Sequence, residues 1–221
     1  GSSAATDAFY VAFRLPNMLR RLFAEGAFQQ AFVPMLSDVK ATKSEEEVRS
    51  FIDRVFSLLA SVLVLTSVIG VLFAPALVWL IAGGLAENPG SFDLATEMTR
   101  WMFPYIFFMS LVAMSAGVLN TWKHFAIPAF TPVLLNVSFI TFTLLLTPHL
   151  DRPIFALAVA VIVGGVLQLG IQIPSLMKLG VLPRPVNPIQ AMRDASVILV
   201  MKLMIPALFG VGVAQLSLLI N

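Results

Sequence analysis

The chain has no cysteine, which excludes a disulfide framework and any thiolate metal site. Its two histidines, His124 and His149, are too few and too far apart for a histidine-based metal cluster. Charge is scarce as well. Only 12% of the 221 residues are Asp, Glu, Lys or Arg, against about 25% in an average soluble domain. The 14 basic and 12 acidic side chains leave a net charge of +2 and form no basic patch suited to nucleic acid. Hydrophobic residues fill 58% of the chain. Charges this few and this unevenly placed cannot cover the surface of a water-soluble fold, so the composition implies an all-α, polytopic helical membrane protein.

The gaps between charges give the spans. Residues 55–86, 101–122, 125–150, 153–177 and 203–221 contain no Asp, Glu, Lys or Arg. Each approaches or exceeds the roughly 20 residues that carry a helix across the hydrocarbon layer. Irregular backbone cannot cross lipid unsatisfied, so spans are expected at Val55–Ile81, Met102–Trp122, Ala129–Thr147, Ile154–Leu176 and Leu203–Asn221. Breakers fall at the joints: Gly83-Gly84, Pro89-Gly90, Pro128, Pro148, Pro153 and the Pro183, Pro185, Pro188 group. A short interfacial helix is expected in 187–194. Pro75, Pro104, Pro132 and Pro174 fall inside or at the ends of spans, where kinks are tolerated.

Orientation follows from lysine and arginine. One set of connectors holds Lys40, Lys43, Arg49, Arg54, Lys123, Lys178, Arg184, Arg193 and Lys202; the alternating set holds Arg100 and Arg152. The first set is expected in the cytoplasm. Glu45-Glu46-Glu47 dilutes it little, and reads as a solvated helix face beside Arg49. The opening lacks methionine and a signal-peptide pattern, and the last apolar stretch stops at Asn221 without a closing loop. The expectation is the inner part of a longer transporter-like protein, with Gly1-Ser2-Ser3 either appended or the end of a preceding helix.

Residues 4–35 are helical in pattern and mostly apolar, yet hold Asp7, Arg14, Arg20, Arg21 and Glu25. Ionisable groups in a span are expensive and by default face a water-filled cavity or a partner. On an unbroken helix Asp7, Arg14, Arg21 and Glu25 fall within about 40° of one another, with Arg20 about 140° from Asp7. Pro16 lacks a backbone donor and should kink or break the helix, so the wheel leaves open which arginine faces inward. Arginine stays charged and its planar fork matches phosphate oxygens. A broken helix also exposes backbone groups at membrane depth, a transporter device for polar ligands. Together they suit an anionic headgroup; alternatively, Arg20 and Arg21 snorkel to the cytoplasmic interface, with Asp7 at the opposite one.

The stretch ATDAFYVAFRLPNMLRRLFAEGAFQQAFVPML, Ala5 to Leu36, closely resembles the second transmembrane helix of the MurJ (MviN) family of bacterial lipid II flippases, in the MOP exporter superfamily. Leu119–Phe139, Ala156–Leu176 and Ile205–Asn221 agree with later helices. The resemblance covers the whole chain and corresponds to helices two to seven of the family's fourteen. It implies an N-terminal lobe over residues 1–178, a cytoplasmic linker over 179–202, and the first helix of the second lobe over 203–221. It further implies alternating access in the bacterial inner membrane, with no cofactor and with coupling to membrane potential or a monovalent cation. Lipid II is the implied partner, alongside membrane lipid and the remaining helices of the same protein; nucleic acid is not.

In the family a cationic cavity receives the lipid-linked pyrophosphate. Carried over position by position, Asp7, Arg14, Arg20 and Arg21 fall in the substrate-binding cavity and Glu25 at its gate. A MATE-like exporter of small cations would want acids in the cavity, whereas residues 4–35 carry three arginines against two acids. A non-transporting scaffold for cell-wall assembly would tolerate charge loss at Asp7 and Arg20. An enzyme is disfavoured because no span offers paired carboxylates or a nucleophile with a base.

Weaker candidates have structural readings. Trp101, Tyr105 and Trp122 are expected in an aromatic belt, and Lys123-His124 at a short cytoplasmic turn. Ser110, Ala113, Ser115, Ala116, Gly117 and Gly164-Gly165 are expected to allow close helix approach or to act as hinges. Gln168 and Gln172, four residues apart, form a polar stripe toward the bundle interior.

Overall fold

The computed structural model describes residues 28–81, 89–146, 148 and 155–204, and every element among them is helical. Helix α1 spans Gln29–Thr42, α2 Glu45–Leu72, α3 Ala74–Ile81 and α4 Pro89–Thr121. Helix α5 spans Ala126–Leu146, α6 Phe155–Leu179, α7 Pro188–Ala191 and α8 Ala195–Met204. Four of these, α2, α4, α5 and α6, are long and apolar enough to cross a membrane. The fifth expected span, Leu203–Asn221, lies outside the described residues apart from its first two.

Local chemistry sets the ends. Ser44 caps α2, its Oγ accepting from Glu47 N at 3.3 Å, and Glu45, Glu46 and Glu47 occupy the first turn, where carboxylates favour the positive end of the helix dipole. All three are exposed, as expected for a solvated face. Helix α6 ends on Gly180, at φ +71°, with Val181 N donating to Leu176 O at 3.1 Å. Helix α4 ends in the same way on Lys123, at φ +63°, with His124 N donating to Leu119 O at 2.8 Å. The Lys123-His124 turn is therefore a tight cap between α4 and α5.

Two boundaries depart from the charge gaps. The span expected at Val55–Ile81 is divided at Phe73 into α2 and α3, because Pro75 cannot continue the hydrogen-bond ladder. Helix α4 begins at Pro89, well before Met102, with proline at its first position, where a missing donor costs nothing. Asp93, Glu97 and Arg100 follow at helical spacing and are exposed. Charge ended the apolar run there without ending the helix.

Packing groups the chain into two units. The described part of the first comprises Leu63–Met109 and Phe130–Gln168. Its core is α4, with Met98, Phe103, Tyr105 and Ile106 all buried. Gly70 on α2 lies so close to Phe103 that an added Cβ would overlap the ring. Gly164 on α6 takes the α5 backbone, where a Cβ would stand 3.4 Å from Leu135 Cα. Gly165 takes α4, with Phe108 Cβ 3.1 Å from the equivalent position. The glycine pair allows the close approach expected of it. Ser138 Oγ donates to Ala160 O at 2.7 Å and Gln168 Nε2 to Thr131 O at 3.0 Å, joining α5 and α6. Tyr105 departs from its expected place. It is buried, 2% exposed, with its ring against Gly165, because small residues opened room for it inside the unit. Trp101 is exposed, as a belt residue would be.

The described part of the second unit comprises residues 28–62, Ser110–Ala129 and 169–204. Its core joins Phe32, Leu36, Phe51, Ile52, Val118 and Leu176 from α1, α2, α4 and α6, with Val197 of α8. Gln172 is fully buried, its Nε2 donating to Val112 O of α4 at 3.3 Å. The glutamine stripe thus faces inward in both units. Nine of the ten described lysines and arginines belong to this second unit, and Arg100 to the first.

Two outcomes follow. This chain has no cysteine of its own, so in a protein whose remaining part is also free of cysteine a single introduced one is a unique label. Lys43→Cys and Arg193→Cys should react with an impermeant maleimide only from the cytoplasmic side, and Gly90→Cys only from the other. Gly70→Ala should lower the melting temperature despite alanine's helix advantage of about 1 kcal/mol, the overlap costing about 1–3 kcal/mol. In a Phe103→Ala background the same change should be neutral or stabilising.

Candidate functional site

Asp7, Arg14, Arg20, Arg21 and Glu25 all lie outside the described residues. What the structure does place is the anchor that follows them. Phe28 and Phe32 stack at 5.0 Å, and Phe32 stacks on Phe51 of α2 at 5.9 Å. Gln29 Nε2 donates to Ala113 O of α4, and Gly117 on the same helix leaves room for its amide, whose Oε1 would be 2.8 Å from an added Cβ. The continuation of the charged segment is therefore fixed to α2 and α4 by aromatic stacking and by a side chain bonded to backbone. Gly117 serves the close approach expected from its size.

The second cluster is built by the chain after α6. Arg184 N donates to Asp53 Oδ1 at 2.8 Å, and Val186 N donates to Ser57 Oγ at 2.8 Å. Asn187 caps the single turn of α7, its Oδ1 accepting from Ile189 N at 2.9 Å. Proline at the next position completes that signal, and the short helix falls within the expected 187–194 stretch. Asp194 ends the segment with two roles. Its Oδ1 accepts from Ser196 N at 2.8 Å and Val197 N at 3.3 Å, so α8 starts at Ala195, ahead of the expected Leu203. Its Oδ2 pairs with Arg54 of α2.

Beside the Asp53–Arg184 contact lies an open cleft of about 330 Å³ bordered by Arg49, Asp53, Gly180 and Arg184. A neighbouring cleft of about 270 Å³ is bordered by Lys40, Lys43, Glu45, Arg49 and Trp122. Trp122 is half-buried against the core, with Lys40 Nζ 4.9 Å from its ring centroid, and Lys40 also donates to Thr121 O at 3.3 Å. A cation on an indole face agrees with an interfacial tryptophan and adds a specific partner. Such a set of cations can hold an anion; it offers no nucleophile with an adjacent base. The sequence carried three signals for it: Arg49 and Asp53 four apart on one helix, a glycine just past the α6 pattern, and Asp194 before an apolar run.

The family model described as lipid II flippase MurJ matches residues 1–221. The chain belongs to this family. A lipid II flippase MurJ of Burkholderia cenocepacia is 51% identical over 222 residues, covering 100% of this chain and 43% of that protein. A probable lipid II flippase MurJ of Vibrio cholerae is 42% identical, again covering 100% of this chain and 43% of the relative. A solved structure of lipid II flippase MurJ, in an inward closed conformation, matches with a TM-score of 0.77 at 27% identity. That match covers 96% of this chain and 42% of the solved one. The chain thus spans less than half the length of these MurJ relatives, and it shares with them the multi-helix membrane architecture.

The two roles of Asp194 can be separated. Asp194→Asn keeps an N-cap acceptor and loses the ion pair, which at partial exposure contributes under about 1 kcal/mol. Asp194→Ala loses both and should cost about 1 kcal/mol more. Thermal unfolding of the two variants, alone and combined with Arg54→Ala, should show coupling to Arg54 for Asn and an additional uncoupled loss for Ala.

Proposed function

We propose that this chain is the part of a lipid II flippase that carries one wall of the substrate cavity. The observation that supports it most directly is the family match over every residue, charged segment included, at up to 51% identity to a MurJ protein. The cargo is the lipid-linked peptidoglycan precursor, and the site is the bacterial inner membrane. Asp7, Arg14, Arg20 and Arg21 line the cavity and bind the pyrophosphate, with Glu25 at the gate. The headgroup enters from the cytoplasm, the lobes rock about it, and it leaves outward while its lipid tail stays in the bilayer.

Arginine suits this task because its charge is permanent and its fork accepts two phosphate oxygens at once. The cost is release, since a cationic site that binds pyrophosphate well also retains it. A membrane potential contributes roughly 2.3 kcal/mol per charge per 100 mV, and a monovalent cation can add to this. No bond of the substrate is made or broken, so no cofactor is called for.

Complementation tests the reading. In cells depleted of their own flippase, the full-length protein bearing Asp7→Ala or Arg20→Ala should reach the membrane at parental level, yet leave lipid II on the inner leaflet and allow lysis. Growth indistinguishable from the parent would return both charges to the role of interfacial anchors and remove the site assignment.

A further inference from the structure

We propose that the two neighbouring clefts of the second unit, which share Arg49, form a binding site for the phosphodiester headgroup of an anionic phospholipid. Arg49 is the central group. Arg49 is exposed, and among the described residues its guanidinium makes no hydrogen bond and no ion pair. Its Nη2 would be 3.0 Å from a Cβ added to Gly180, so it lies across the left-handed glycine that ends α6. Arg184 is fixed by its main chain, whose N–H is bonded to Asp53, and among the described residues its guanidinium is likewise unbonded. Two exposed, unbonded guanidiniums border one cleft of about 330 Å³.

The charge count suits a lipid phosphate. Arg49, Arg184, Lys40 and Lys43 against Asp53 and Glu45 leave two positive charges across the pair of clefts. Asp53 is already occupied as acceptor for Arg184 N–H, so its carboxylate orients the arginine more than it opposes an anion.

Depth and shape favour a lipid over a free anion. Arg49 and Asp53 stand within two turns of Val55, where the charge-free run begins, which places the cleft at headgroup level. Its remaining wall is apolar and open: Met177 is 61% exposed and Leu182 36%. Trp122, an interfacial residue type, borders the adjoining cleft. A free phosphate would have no use for that wall, whereas glycerol and the first acyl methylenes would cover it. Basic pockets at the cytoplasmic ends of transmembrane helices bind such headgroups through cations of this kind.

The test uses the full-length protein carrying this chain, purified in neutral detergent and titrated with phosphatidylglycerol, phosphatidylcholine or inorganic phosphate. Bound lipid is counted by native mass spectrometry and stability read by thermal shift. Phosphatidylglycerol should bind in preference to phosphatidylcholine and raise the melting temperature. Arg49→Gln should weaken that binding about fivefold, and Arg49→Gln with Arg184→Gln by tenfold or more. Lys202→Gln, on α8 outside the clefts, should bind as the parent does. The single variant removes no hydrogen bond seen in the structure, so it reports even if the double variant accumulates poorly. Equal binding of the two lipids, or unchanged phosphatidylglycerol binding by Arg49→Gln, would overturn the proposal. So would protection by inorganic phosphate, lost in Arg49→Gln, without preference for phosphatidylglycerol, since that marks a free-anion site.

Discussion

Three glutamines and a serine donate their side-chain hydrogens to main-chain carbonyls of neighbouring helices, and much of the architecture depends on that arrangement. Within lipid, tails are as apolar as leucine, so burying hydrophobic surface does little to choose one helix partner over another. Hydrogen bonds and close approach must do the choosing. Gln168 fixes α6 to α5 in the first unit; Gln172 and Gln29 bring α6 and α1 to α4 in the second. Ser138 adds a fourth such bond. Each contributes about 0.6–2 kcal/mol. Glycine then sets how near the helices come, at Gly70, Gly117, Gly164 and Gly165.

At the polar ends water returns and a different chemistry governs. Helix starts are fixed by Ser44, Asn187 and Asp194, and helix stops by Gly180 and Lys123. The chain between α6 and α8 has almost no regular structure, yet its course is determined because Asp53, Arg54 and Ser57 bind its backbone and its one carboxylate. The same stretch of α2 therefore serves two purposes. It begins a span, and it is the surface on which the following linker is laid. That dual use explains why charged residues persist so close to the apolar run at Val55.

This placement also separates two kinds of cation. Arginines in residues 4–35 fall within an apolar, helix-patterned segment. Arg49 and Arg184 stand at the edge of the apolar region, with an aromatic and aliphatic wall beside them. Both groups are basic, but they stand in different sequence surroundings, one inside an apolar run and one at its edge.

The sequence by itself determined the class, the presence and order of the long apolar helices α2, α4, α5 and α6, the bias of lysine and arginine between connectors, and the family, because hydrocarbon imposes length and charge rules that need no tertiary contact. It also singled out residues 4–35 by their five charges, since ionisable groups stand out where apolar residues are the rule. Boundaries were less legible. Charge gaps report where the bilayer begins, whereas helix ends depend on caps and prolines, so α4 starts at Pro89 and α8 at Ala195, each ahead of its apolar run. Only the tertiary structure decided that Tyr105 is buried rather than interfacial, that the glutamines bond to backbone carbonyls, and that Arg49 and Arg184 share one cleft. Those facts join residues more than a hundred positions apart or on different helices, and no local pattern encodes which helix will stand beside which.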